Sequence, residues 1–526
     1  MGIKKYKATK DNTITNAYGI DLSTRASGSN MGASDILEVF SIYGQQTTSS
    51  AELSRTLIEF PISTVTTDRT AGTIPASGSV RFYLKMFNAR HSEQLPENFT
   101  FNVIAVSQSW QEGSGLDMET YKDKTEDNIE GSNWMNRLKR TAWGRVGGEY
   151  HSSSYTAGYT MPNYTFTFSE GHEDLELDIT AMVEEWVAST QTNHGLGVFL
   201  TSSQEAYTSA SDGADTGSVI HNAYGQTTSY YTKRFFSRSS EFFFKVPALE
   251  ARWDSRTKDQ RGSFYYSSSL APATDNLNTI YLYNYVRGEL KDIPVIGTGR
   301  ILVSVYSGST DDSAPFSSKL ALSVGGGVSA TGNLNVTGGY VSTGIYSASF
   351  AFTGSSTLKT IYDVWHSASS AAVHEADTGT EYSTGSIKPA TLTSPNWNRY
   401  DQYVSKITNL KPKYVKNEQA RFRVFARPRN FSPNIYSVAS KEIENTIIPS
   451  ATYEVLRMVD ERTVINNSTG SSTYHTHLSY DVSGSYFDLD MSLLEPGYLY
   501  GIKLAYYVAG QWRNQEEVFK FRVEDN

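Results

Sequence analysis

The chain contains no cysteine among its 526 residues. That absence excludes disulfide stapling, thiolate-ligated zinc and thiol catalysis together. Charge is sparse as well. Asp, Glu, Lys and Arg make up 19% of the residues and hydrophobic residues 38%, both low for a globular enzyme. The net charge of −9 disfavours a nucleic-acid partner, because neutralising phosphates needs a basic stripe. No apolar run approaches the roughly 20 residues that span a bilayer, so no membrane partner is expected. The stretch MGIKKYKATKDNTITNAYG has no apolar core and is not expected to act as a signal peptide. Phosphate-cradling Gly-rich loops, HExxH and Gly-x-Ser-x-Gly are missing too. Neither a cofactor nor an enzyme is expected.

Ser, Thr and Gly are plentiful, with 35 tyrosines. That mixture suits many short strands with polar outer faces. The segments LSRTLIEFPIS, SVRFYLKMFNA, FTFNVIAVSQSW, YTFTFSE, LELDIT, GLGVFL and EFFFKVPAL each read as a strand. In RFYLKMF, Phe82, Leu84 and Met86 share one face at period two. The expected fold is all-β, with three consecutive β-sandwich domains. Residues 1–249 form a jelly-roll-like sandwich and 250–272 a charged, then Ser-rich connector lying on a surface. Residues 273–395 form a second sandwich whose strand order the sequence does not specify, and 396–526 a fibronectin III/immunoglobulin-like end. A long polar stretch, about residues 112–160, interrupts the first sandwich. Loops of that length are commonly functional or ordered by a partner. Its Trp134 and Trp143 are interaction candidates, set against packing that merely anchors the loop.

The stretch LELDITAMVEEWVASTQTNHGLGVFL, residues 175–200, gathers Asp178, Glu184, Glu185 and His194 and so invites a catalytic reading. Adjacent acids on one helix do not face each other, whereas hydrolysis by paired carboxylates needs them across a bond. Met182, Val183 and Trp186 fall at helical spacing, after a capping Asp178 or Thr180, and the acids point to solvent. Gly195 supplies a positive-φ turn. The stretch is therefore expected to be structural, with Trp186 in the core. Two histidines, His475 and His477, sit two apart on an expected strand, the spacing of a metal chelate. No third ligand is evident beside them, so no metal is assigned. Asp212 to Asp215 is too short for a calcium loop, and Asp311-Asp312 is similar.

The ordered set Leu53-Ser54-Arg55-Thr56-Leu57-Ile58-Glu59-Phe60-Pro61, Ser109-Trp110, Leu177-Asp178-Ile179-Thr180 with Trp186, and His194-Gly195-Leu196 carries a resemblance. With a last strand expected at Phe242 to Val246, it resembles the DNRLRE-type jelly roll, a carbohydrate-binding-like sandwich of surface proteins. The likeness covers about the first 250 residues, and the insert after Trp110 departs from it. Near the other end, Leu494-Glu495-Pro496-Gly497-Tyr498-Leu499-Tyr500 resembles the corner of a fibronectin type III or immunoglobulin-like domain. Pro496 and Gly497 would turn the chain there, and Tyr500 would bond back to the backbone. From Arg421 to Ile502 the phrasing resembles structural proteins of T4-like marine tailed bacteriophages.

These resemblances imply a non-enzymatic virion protein of the tail, neck or capsid surface, assembled in the host cytoplasm and extracellular after lysis. Its partners would be other virion proteins, in a homo-oligomer or multi-copy assembly. The alternative is a carbohydrate-binding adhesin contacting a host-surface glycan.

Overall fold

A computed structural model describes residues 2–43, 51–91, 95–116, 120–125, 130–151, 161–209, 215–308, 314–327, 333–353, 358–367, 379–390, 402–431, 435, 445–469 and 474–525. The chain divides into two compact units, Gly2–Asp254 and Ser255–Asn526.

The first unit comprises β1 (Ile3–Lys7), β2 (Lys10–Thr15), β3 (Ile36–Tyr43), β4 (Ala51–Glu59), α1 (Ile62–Thr70), β5 (Val80–Met86), β6 (Phe99–Ala105), β7 (Asn136–Leu138), β8 (Thr141–Ala142), β9 (Tyr164–Phe168), β10 (Leu175–Asp178), α2 (Thr180–Val187), β11 (Leu196–Leu200), β12 (Tyr230–Phe236) and β13 (Ala248–Trp253). A four-stranded sheet, β1-β13-β5-β10, faces a seven-stranded one, β12-β3-β4-β11-β6-β9 with β2 beside β4. The alternation of β5 sends Phe82, Leu84 and Met86 into the core, where they join Leu249 of β13 and Phe101, Val198 and Phe235 of the larger sheet. Period-two patterning is what buries one face of a strand and wets the other.

The last strand departs from expectation. It is Ala248–Trp253, paired to β1 on one edge and β5 on the other. The residues Phe242 to Val246 lie in turns before it, with Lys245 N donating to Phe242 O at 2.7 Å. Glu250 to Trp253 therefore belong to the first sandwich and not to a connector.

The second unit begins with β14 (Asn278–Tyr283), β15 (Tyr285–Val286), β16 (Glu289–Leu290), β17 (Ile301–Gly308), β18 (Pro315–Lys319), β19 (Leu322–Ser323), β20 (Val336–Ser342), β21 (Ile345–Phe352), β22 (Ile361–His366) and β23 (Glu381–Ile387). Eight of these join in one sheet, β14-β21-β20-β17-β22-β23 with β18 and β19 alongside. The sheet bends over on itself, so that Ile280 and Tyr346 of one wing share a core with Val303, Trp365 and Ile387 of the other.

The remaining strands are β24 (Tyr403–Ile407), β25 (Lys413–Val415), β26 (Gln419–Pro428), β27 (Ala451–Arg457), β28 (Arg462–Ile465), β29 (Ser479–Asp481), β30 (Gly484–Asp490), β31 (Leu499–Val508), β32 (Gln511–Asn514) and β33 (Phe519–Glu524). They form a sandwich of β24-β26-β30-β29 against β25-β33-β31-β27-β28, with β32 beside β31. Phe422, Val424 and Ala426 point inward as their alternation requires. Phe487 of one sheet stacks on Tyr453 of the other with centroids 4.1 Å apart.

The segment expected to lie on a surface as a connector has both exposed and buried residues. Asp259, Phe264 and Tyr266 are buried. Tyr480 N donates to Thr257 O at 3.0 Å and Asp259 N to Tyr480 O at 3.1 Å, which adds an edge to β29. A few residues on, Ala390 N donates to Phe264 O at 2.8 Å and Tyr266 N to Ala390 O at 2.9 Å. Arg261 grips Asp363 of β22 with both terminal nitrogens, and Trp365 Nε1 donates to the same carboxylate at 2.7 Å. One segment thus pairs with the last sandwich and then with the bent sheet. A buried carboxylate is tolerated because a guanidinium and an indole satisfy it.

Candidate interaction surface

The stretch from Leu175 to Leu200 has the structural role its pattern implies. Met182, Val183 and Trp186 enter the core of the first sandwich. Two details differ. Helix α2 has no side-chain cap at its start; Asp178 Oδ1 instead accepts from Thr180 N at 3.0 Å while its other oxygen meets Arg81. Thr180 Oγ1 accepts from Phe82 N and so ties the helix to β5. Glu184 does not point to open solvent, because Arg69 of α1 holds it at 2.7 Å through two nitrogens. An arginine in α1, 115 residues away in the chain, is not readable as its partner from α2 alone. Gly195 has φ +80, and a Cβ there would lie 2.2 Å from Ile58 O. The neighbouring His194 carbonyl accepts from Trp110 Nε1 at 2.8 Å.

Trp134 and Trp143 do not reach outward. They are 0% and 5% exposed, and with Trp110 they form a second core on the other face of the seven-stranded sheet, over Ile14, Leu53 and Leu57. Each indole is satisfied inside the domain, Trp134 on Ser218 O at 2.7 Å and Trp143 on Asn133 O at 2.9 Å. Beneath Trp134 lies a buried pair, in which Arg55 donates to Glu205 at 3.0 and 2.9 Å and to Gly147 O at 3.1 Å. The insert therefore lids a sheet, because both faces of that sheet are apolar and neither can be left wet. As docking side chains the two tryptophans are ruled out by burial.

His475 and His477 lie in a turn and an isolated bridge, not on one face of a regular strand, and both are buried. His477 packs edge-on against Trp512 at 5.5 Å. Among the described residues, no group of three or more His, Cys, Asp or Glu is placed to hold a metal. Asp212 and the Asp311-Asp312 pair fall outside the described residues; Asp215 pairs with Arg145 at 2.9 Å. Gly497 has φ +89, and Tyr500, fully buried, donates to Glu495 O at 2.8 Å. With Pro496 that is a tyrosine corner in place.

What the strand pattern hid is on the surface. Phe242 and Phe243 are 49% and 45% exposed, side by side in the turn before β13. Lysines frame them. Lys245 Nζ lies 5.7 Å from the Phe242 ring, and Lys7 Nζ lies 5.4 Å from that of Phe243. Lys5 Nζ lies 5.0 Å from Phe244. An ammonium over an aromatic face is held by the ring quadrupole, so the rings and the cations are displayed as one surface. The signal was present in the sequence. Three consecutive phenylalanines cannot all enter a core from a strand whose side chains alternate.

Behind this surface runs a charged ladder on the outer face of the four-stranded sheet. Lys5 meets Glu250 at 3.3 Å, Arg252 meets Glu250 at 2.5 Å and Glu176 at 2.7 Å, and Lys85 meets Glu176 at 3.4 Å. Burial works against the Glu250 carboxylate. Yet the charges of Lys5, Lys85 and Arg252 hold it well below the ordinary carboxylate range. Breaking a ladder of this kind leaves a buried charge without its partner, so it holds β1, β13, β5 and β10 in register and supports the turn that carries the phenylalanines.

No family model matches the chain, and no curated protein matches it. Among solved structures it is similar to a crystal structure of DIP-gamma IG1+IG2, at 11% identity over 48% of this chain and 89% of that one. The TM-score is 0.12, too low to carry an argument, and the fold stands on the sheets themselves.

Proposed function

We propose that this chain is a non-enzymatic structural protein of a tailed-phage particle, held in place by protein–protein contacts. The observation that carries the reading is the exposed Phe242–Phe243 surface with its framing lysines. Large apolar groups displayed together on a protein surface mark docking sites, and aromatic anchors dominate the energy of such contacts. The lysines suit a partner that presents carboxylates around an apolar patch, which favours correct docking over indiscriminate adhesion. The stapled segment at Thr257–Tyr266 supports a mechanical role, since it binds two β domains of one unit to a common strip of backbone. The particle itself is inferred from the resemblance of residues 421–502 to phage structural proteins. Among the described residues, Trp110, Trp134 and Trp143 cover the outer face of the larger sheet over β2 and β4, which leaves that part of it no open platform for a glycan.

The test is a Phe242→Ser/Phe243→Ser variant compared with wild type for incorporation into particles. Exposed sites tolerate such changes, so its urea unfolding midpoint is expected to match wild type while incorporation is lost. Normal incorporation of the variant would remove this surface as the docking site. Absence of the wild-type chain from purified particles, by mass spectrometry, would remove the virion reading.

A further inference from the structure

In the last sandwich a polar cleft opens between the edge strand β24 of one sheet and the edge strand β32 of the other. Its volume is about 330 Å³, at the small end of the range of ligand sites, on the order of 300–1,000 Å³. Its lining is unusual for such a site. It is lined by two arginines, Arg429 and Arg513, two glutamates, Glu516 and Glu517, three residues with planar amides, Gln402, Asn514 and Gln515, and one aromatic residue, Tyr403. The charges cancel in pairs, so the cleft has no net preference for an anion or a cation. A peptide would need apolar pockets for its side chains, and among the lining residues Val404, Val508 and the Tyr403 ring alone supply apolar surface.

The walls are held before any ligand arrives. Arg429 N donates to Gln402 O at 2.6 Å, which extends the pairing of β24 and β26 by one step beyond their ends. The Tyr403 ring is braced edge-on by Tyr506 at 6.1 Å, and Tyr506 shares a hydrogen bond of 2.6 Å with Ser405. Gln515 N donates to Leu504 O at 2.8 Å and its Nε2 to Arg513 O at 3.4 Å, which fixes the floor. Of the lining side chains, Tyr403 is the one braced in this way and loses less freedom on binding, while Gln402, Arg429, Asn514, Glu516 and Glu517 are exposed at the cleft mouth.

We infer that this cleft binds a short neutral saccharide. Sugar hydroxyls both donate and accept, and forked guanidinium, carboxylate and amide groups match neighbouring hydroxyl pairs two bonds at a time. The Tyr403 ring offers a face or edge for the C–H side of a pyranose. The site does not depend on the docking surface of the first unit, and it can be present whether or not that reading holds.

The experiment is saturation-transfer NMR and calorimetry of the full chain with neutral hexose and N-acetylhexosamine oligosaccharides, alongside uronic-acid and sialylated ones. Neutral sugars are expected to bind with Kd on the order of 1 mM. Arg513→Met and Glu517→Gln, each with an unchanged melting temperature, are expected to weaken binding at least about tenfold. No binding across the panel at roughly ten times that concentration would overturn the inference. So would a preference for the acidic sugars, or binding indifferent to both substitutions.

Discussion

At the scale of single residues, two buried groups make opposite demands. Asp11 is almost completely buried, with Arg238 N donating to its Oδ2, and its own amide donates to Glu112. Burial, reinforced by the Glu112 charge, pushes its carboxyl up to about 7. The unfolded chain titrates this group near 3.9, so between about 4 and about 7 the folded state holds the extra proton. Stability from this residue therefore falls as pH rises through that window. Asp11→Asn is expected to flatten the fall, and its urea midpoint relative to wild type should be higher at pH 7.5 than at pH 4.5. An equal offset at both pH values would contradict that account. Tyr500 makes the simpler case. Tyr500→Phe deletes one buried bond to the Glu495 carbonyl and keeps the ring, so thermal unfolding should show a loss of about 1 kcal/mol. Its position was readable from Leu-x-Pro-Gly-x-x-Tyr alone, because that corner is specified by a local sequence. Asp11 was not readable, since Arg238 and Glu112 reach it from more than a hundred residues away in the chain.

Among elements, the insert and the connector reverse their expected roles. A polar, Gly/Ser-rich stretch looks dispensable, yet Trp134 at its centre fills the core over β4. Trp134→Ala is expected to cost about 3–5 kcal/mol, measured by urea unfolding, and the Arg55–Glu205 pair beneath it would be opened to water. A cost below about 0.5 kcal/mol, as for a surface site, would mean the lid is not part of the fold. In the connector, Arg261→Met leaves Asp363 buried without its cation, which should cost about 3–5 kcal/mol. The loss should appear in hydrogen exchange at both Tyr480 and Ala390, because the same segment bonds to each. Protection lost at one end alone would show that the segment does not act as a single staple. Alternating strands such as β5 and β26 were legible, since period two is imposed by the pleat itself. Irregular segments carry no such period, and whether they lie on a surface or between sheets depends on what they meet.

For the whole molecule, the all-β architecture followed from composition. Short alternating runs, frequent Gly turns and no long apolar helix leave packed sheets as the way to bury half of each strand. The core faces of the strands, the Gly195 turn, the Trp186 anchor and the Pro496-Gly497-Tyr500 corner were determined by the sequence itself, because each depends on neighbours within a few residues. The burial of Trp134 and Trp143, the charged ladder through Glu250 and the cleft around Tyr403 were decided by tertiary structure. Each depends on which distant strand lies alongside. Burial is a property of the pair of surfaces that meet, and one strand's pattern specifies only its own side of that meeting.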